Sequence, residues 1–278
     1  MSAVRFSTYE VAALSQAAVL FETCVNAIRR GELIHREGDK DKEFHFQNWF
    51  KRRLGDLKVN FEEGGRNSYP DFRLVNSTEG YEIKGLAYPG RETNYDSNSQ
   101  PPCGHYNGRE VYYAFGRYPA KPDGTSYPVI DFVLCHGSFL NAVGDYVHKN
   151  KNFRGFGSYG DIMVRDRKMY VVPTPFALAE NTAHHRTLIL PASDSAPAGF
   201  EAVGELMRRE VDEVVCAYAF DLRTNELTTT KVPNPNAGRE HRFVAYRLKG
   251  EPHAPVRLRD RRQVLAALEA SVPETDED

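Results

Sequence analysis

The apolar positions of this chain follow two rhythms, and the change from one to the other predicts the order of its elements. Residues 8–31 carry apolar side chains at helical spacing through "AALSQAAVLFETCVNAI", with Thr8 as N-cap and Gly31 as stop. A polar link, "REGDKDK", leads to "EFHFQNWFKRRLGDL", a second helix whose apolar face is read as Phe44, Phe46, Trp49, Phe50 and Leu54. The rhythm then shifts towards period two. "YPDFRLVNSTEGYEIKG" predicts a hairpin, and a Gly/Pro/Asn-rich loop follows from Tyr88 to Gly108. "EVYYAFG" and "YPVIDFVLCHG" read as buried strands because β-branched and aromatic residues dominate them. "DIMVRDRKMYVVPTP" supplies a further strand or hairpin. In the last third, "RTLILPA" and "HRFVAYRLKG" predict strands, while "GFEAVGELMRREVDEVV" and "RDRRQVLAALEASV" predict helices.

Interleaved helices and strands point to an α/β chain of mixed α+β character, with a central mixed sheet flanked by helices. At 278 residues the chain has room for one large domain or a core with an appended lobe. The expected division is 1–60 as the N-terminal helical part, 61–175 as the core, and 176–278 as a C-terminal portion packed on that core rather than an independent domain.

Composition narrows the class. With 41% hydrophobic and 12% aromatic residues, the chain is globular rather than disordered. No apolar run is long enough to span a bilayer, and "MSAVRFSTYEVAALSQ" lacks the basic-then-apolar form of a secretory signal. A cytoplasmic protein without a membrane partner is expected. Cys24, Cys103, Cys135 and Cys216 form no CxxC pair, which argues against a structural zinc site or a disulfide framework. The formal net charge of −2 gives no global nucleic-acid signature, but "HKNKNFRGFGSYGDIMVRDRKMY" is locally basic. HExxH, GxSxG, P-loop and GxGxxG patterns are absent.

Chemistry concentrates in the hairpin. Side chains on a strand alternate faces, so Glu82 and Lys84 share one face while Tyr81 and Ile83 take the other. A six-residue loop, "VNSTEG", pairs Leu74 with Tyr81 and sets Asp71 opposite Lys84. In that register the two carboxylates and the ammonium meet within about 5 Å, and a slip of one residue would turn Asp71 away. Two carboxylates beside a lysine suit phosphodiester hydrolysis. Mg²⁺ binds through one or two carboxylates while keeping several waters, polarises a phosphoryl oxygen and favours a metal-activated hydroxide. Lys84 would orient that water or stabilise the developing charge. A merely solvated, charged hairpin face is the competing reading, since this spacing is common in chains of ordinary composition.

Pro70-Asp71 followed by Glu82-Ile83-Lys84 resembles the signature of the PD-(D/E)xK nuclease superfamily, and the order of elements is similar to that of type II restriction endonucleases. The resemblance implies a restriction-endonuclease-like core, a mixed sheet with helices on both sides, with Asp71 and Glu82 as Mg²⁺ ligands and Lys84 assisting the nucleophile. It further implies site-specific cleavage of double-stranded DNA, a homodimer, and a companion DNA methyltransferase in a restriction-modification system. An additional acidic ligand is left open among Glu43, Glu62 and Glu63. Base-edge contacts are assigned to the loop residues Asn98, Gln100, His105 and Arg109, with Asn94 and Asn107 nearby. Lys149, Lys151 and Arg154, interleaved with aromatics, form a candidate phosphate-binding arm. A repair or structure-selective nuclease is the alternative within the same chemistry, and a non-catalytic DNA-binding protein the alternative outside it.

Overall fold

Two amphipathic helices build the first layer. Helix α1 (Gln16–Arg29) buries Ala17, Leu20, Phe21, Cys24 and Val25 on one stripe, and the chain turns out of it through Gly31 at a φ of +74° that favours glycine. The computed structural model describes residues 15–36, 44–65, 68–98, 100–142, 145–146, 158–166 and 169–271, so Thr8 lies outside the described residues. Helix α2 (His45–Asp56) buries Phe46, Trp49, Phe50 and Leu54. Phe44, expected on the same face, precedes the helix and is 49% exposed. The cause is angular: positions three or four apart share a helix face, and positions two apart do not.

The strands follow as β1 (Phe61–Glu63), β2 (Phe72–Leu74), β3 (Glu79–Tyr88), β4 (Asn94–Asn98), β5 (Arg109–Pro119), β6 (Asp131–His136), β7 (Met163–Asp166) and β8 (Met169–Pro173). After the short helix α3 (Pro175–Leu178) come β9 (Thr187–Pro191), β10 (Phe200–Arg209), β11 (Glu213–Asp221), β12 (Glu226–Pro233), β13 (Glu240–Leu248) and helix α4 (Arg261–Ser271). The central sheet runs β10-β13-β9-β6-β5-β3-β2-β1, and the short strands His105–Tyr106 and Asp145–Tyr146 bring it to ten. It is mixed: β3 pairs with β5 and β6 with β9 in parallel, whereas β2–β3 and β5–β6 are antiparallel. The class is therefore α+β, with 41% strand against 20% helix. Strands β9, β10 and β13 from the C-terminal part belong to the same sheet as β1, β2, β3, β5 and β6.

Each face of the sheet has its own core. On one side α1 and α2 pack Phe21, Phe46, Trp49 and Phe50 against Phe72, Tyr81, Tyr112 and Phe132. On the other side Tyr113, Phe115, Val133 and Cys135 meet Tyr95, Val171, Val172, Phe176 and Leu268. Where helices were expected on both faces, this second cover combines a three-stranded antiparallel sheet, β7-β8-β4, with α3 and α4. Its strand β4 lies inside the segment expected to be loop. "NYDSN" is poor in strand formers, yet it pairs with β8 over five residues.

The helix expected over 199–215 is instead two strands, β10 and the start of β11. Good helix formers such as Glu, Leu, Met and Arg mask a period-two burial pattern at Leu206, Arg208 and Glu210, two of whose inward side chains are charged. A bulge between Ala202 and Gly204 breaks the phase further. At Gly204 an added Cβ would sit 2.2 Å from the Val256 carbonyl oxygen, so the position admits no side chain. Ribbon β11–β12 pairs within itself, apart from the central sheet.

Phe46 anchors α2 to the sheet by lying over Gly116, where an added Cβ would come within 2.1 Å of its ring. Phe46→Ala is expected to cost about 3–5 kcal/mol. Urea unfolding checks this, and a loss below about 1 kcal/mol would contradict the packing described.

Candidate active site

The site forms where β2 stops covering β3. Phe72 pairs with Tyr81 and Arg73 with Gly80, two residues away from the expected register in which Leu74 met Tyr81. An even shift leaves every side chain on its original face. Asp71 therefore falls beside Glu82 rather than opposite Lys84. Its Oδ2 accepts a hydrogen bond from the Ile83 backbone N–H at 2.8 Å, standing in for a ladder bond as the strand ahead of β2 turns away. The Pro70 ring lies on the sheet at Gly80, where a Cβ would be 2.5 Å from its Cγ.

Strand β3 supplies the other two groups. In its parallel pairing with β5, Glu82 lies beside Tyr113 and Lys84 beside Phe115. Lys84 Nζ donates to Glu82 Oε1 at 2.6 Å and stands 5.6 Å from the centre of the Tyr95 ring. Glu82 Oε2 is buried without a hydrogen-bond partner. The pair keeps some contact with solvent, 13% for the Glu82 side chain and 22% for Lys84.

Burial pushes the Asp71 carboxyl up to about 7, and the Glu82 carboxylate adds to the rise. Lys84 and the Ile83 N–H oppose it. The physical content is a charge deficit: two acids share one ammonium in a poorly solvated place. Around them stand Tyr69, Tyr95 and Tyr113, whose hydroxyls burial holds well above the usual tyrosine range. They are neutral donors, with Tyr69 and Tyr113 hydrogen-bonded at 2.8 Å and the Tyr95 hydroxyl buried without a partner. Sequence reasoning missed this tyrosine wall. Its one signal was the alternation in "EVYYAFG", which puts Tyr113 and Phe115 on a common face.

Of the three acids left open as extra ligands, Glu63 pairs with Lys51 of α2. Glu62 lies 3.6 Å from Arg73 and is exposed. Glu43 is outside the described residues. No group of three or more His, Cys, Asp or Glu side chains among the described residues could hold a metal, so Asp71 and Glu82 stand as a two-carboxylate set.

The residues assigned to DNA contact are dispersed. Asn98 ends β4, and Lys149, Lys151 and Arg154 lie outside the described residues. Gln100 Nε2 lies 3.7 Å from Cys103 Sγ. His105 is partly exposed, 4.0 Å from Glu110. Arg109 is committed to the fold: its Nη1 donates to the carbonyls of Leu74 and Ser77 at 2.8 and 2.9 Å, clamping the β2–β3 turn. Asn94 is buried against Ser271, and Asn107 occupies a turn at φ +49°. No helix among the described residues is long and apolar enough to cross a membrane.

No family model matches this chain, and neither a curated protein nor a solved structure matches it.

The raised Asp71 group makes stability depend on pH. The folded chain holds this proton more tightly than the unfolded chain, so the contribution is complete below about pH 4 and is lost as pH rises through about 7. Asp71→Asn keeps an oxygen for the Ile83 N–H and carries no charge. It is expected to be more stable than the parent near pH 8, with the difference vanishing towards about pH 4. Urea unfolding across that range checks this, and a pH-independent difference would contradict it.

Proposed function

We propose that this chain is a Mg²⁺-dependent nuclease that hydrolyses phosphodiester bonds in double-stranded DNA at specific sites, in the manner of type II restriction endonucleases. One observation carries the reading: Asp71 and Glu82 converge beside Lys84 with a buried carboxylate oxygen unsatisfied. That orphaned oxygen, together with a neighbouring acid that tends to keep its proton, fits a divalent cation as the missing charge. A two-carboxylate set suits Mg²⁺, which retains several waters.

Asp71 and Glu82 would hold the ion, which when bound polarises a phosphoryl oxygen and lowers the pKa of a coordinated water. Asp71 must first lose its proton, so ligation weakens as pH falls below about 7. Glu82 divides its oxygens, with Oε1 fixing Lys84 and Oε2 left for the cation. Lys84 places an ammonium next to the acids, able to hydrogen-bond the attacking water and to neutralise charge gathering on the phosphate in the transition state. The Tyr95 ring lies within cation–π range of Nζ. Tyr69, Tyr95 and Tyr113 limit water on the closed side.

The meander β1-β2-β3 with β5 parallel to β3 supports a restriction-endonuclease-like core. A palindromic target would make a twofold homodimer the natural assembly, and a companion methyltransferase belongs to the same proposal.

The test incubates supercoiled and linear plasmids with Mg²⁺ or EDTA, using the parent chain, Lys84→Ala and Glu82→Gln. Discrete fragments that need the metal are expected, with each variant slower by about 10²-fold or more. Nicking limited to branched or damaged substrates would move the assignment to a repair nuclease. An inert parent chain on several long DNAs would leave a non-catalytic binder.

A further inference from the structure

A second group of buried charges lies across the same face of the sheet. Where β10 runs out towards β11 and meets the start of α4, a cavity of about 590 Å³ is lined by Tyr159, Asp161, Arg208, Arg209, Arg259 and Arg261, among others. That is within the size range of ligand sites, but its polar lining departs from the usual apolar one. The wall is built rather than incidental. Arg208 and Asp161, each 6% exposed at the side chain, pair at 2.5 Å. The guanidinium stacks over Tyr159 at 4.1 Å and Phe139 at 5.6 Å. Even so, Arg208 Nη1 and Asp161 Oδ1 are buried without hydrogen-bond partners. Arg261 is pinned by its Nη2 donating to the Gly160 carbonyl at 2.9 Å. Gly160 has φ +75°, and a Cβ there would meet that same nitrogen at 2.3 Å.

The acids of the cavity are largely engaged. Asp161 faces Arg208, and Glu210 divides its oxygens between His241 at 2.7 Å and Asn234 at 3.0 Å. Arg209, Arg259 and Arg261 pair with no carboxylate among the described residues, and the lining sets four arginines against Asp161, Glu210 and Asp212, a formal balance of +1. Positive charge gathers here in a chain whose net charge is −2. Planar guanidinium forks match phosphate oxygens.

We propose that this cavity binds a phosphate group, supplied by the DNA backbone away from the scissile bond. Identifying the source as DNA rests on the nuclease reading; the phosphate chemistry does not. Five strand steps separate β10 from β3, about 24 Å at normal strand spacing. That distance matches about seven base pairs at 3.4 Å each, along a duplex running over the β7-β8-β4, α3 and α4 layer that covers the face between the two sites.

The experiment pairs Arg209→Ala with Arg259→Ala, leaving the buried Asp161–Arg208 pair intact. Both proteins carry Lys84→Ala to suppress cleavage, and duplex binding is followed by fluorescence anisotropy between about 50 and 200 mM salt. The double variant is expected to bind about tenfold more weakly, with a salt slope shallower by about one to two. A second arm follows thermal stabilisation by deoxyadenosine 5′-monophosphate. Stabilisation of the parent alone, with duplex binding unchanged, would assign the site to a mononucleotide phosphate. Identical behaviour in both arms overturns the proposal and leaves the nuclease reading standing. If the parent binds no duplex, the nuclease reading falls and the mononucleotide arm decides the cavity.

Discussion

The parallel pairing of β3 with β5, from Glu79 opposite Glu110 to Tyr88 opposite Pro119, is the constraint on which the candidate site depends. It holds β3 inside the sheet, fixes Glu82 against Tyr113 and Lys84 against Phe115, and covers one edge of the strand completely. The other edge is covered unequally. The β2 pairing reaches Tyr81, and by Ile83 the ladder bond has passed to the Asp71 carboxylate. Functional geometry thus arises at a mismatch in strand length: a long strand, a short neighbour, and an acid at the point where the short one leaves. A register slip of one residue would send Asp71 and Glu82 to opposite faces, and the hydrophobic face presented to α2 resists that slip.

Elsewhere the fold treats its buried charges differently. Arg117 and Asp131 pair at 2.5 Å, with the guanidinium between Tyr88 and Phe176. Arg247 gives hydrogen bonds to the carbonyls of Pro252, Ala254 and Asn181 at 2.7, 2.8 and 2.6 Å. The Arg117–Asp131 pair has dense local partners, as burial of charge requires, whereas Arg247 keeps its Nε buried without one. Glu82 and the Arg208–Asp161 pair also keep a buried atom unsatisfied. Both lie on the face away from α1 and α2. What distinguishes these two is their company: Glu82 stands with Asp71 and Lys84, and the Arg208–Asp161 pair lines a cavity with further arginines.

Legibility in the sequence followed periodicity. The first two helices, the hairpin of the candidate site and the β5 and β6 strands were readable because their apolar spacing is strong and their interiors are apolar. The hairpin register was read two residues out, yet Asp71, Glu82 and Lys84 still share a face because strand faces repeat every two residues. Strand β10 was lost because Arg208 and Glu210 point inward where apolar residues are expected, and the Gly204 bulge resets the alternation. Strand β4 was lost because its pairing with β8, not its own composition, makes it a strand. Arg109 has the residue type of a base reader but spends its guanidinium on main-chain carbonyls, a choice that no residue type reveals.

The location of the acids also bears on the competing idea of a solvated hairpin. A charged strand face costs little when it borders water, because full hydration keeps each carboxylate near its ordinary acidity. Asp71 is not in that situation: burial alone pushes it upward, and Glu82 pushes in the same direction. Without an added cation, the site relieves part of that repulsion by raising the affinity of Asp71 for a proton, which it gives up as pH rises through about 7. On the nuclease proposal a divalent cation would relieve the same repulsion and displace the proton, so the two occupants would compete for one vacancy in charge. A surface hairpin creates no such competition. The raised proton affinity of Asp71 and the oxygen that Glu82 leaves unpaired are two expressions of the same deficit, and both trace to the strand at which β2 falls short.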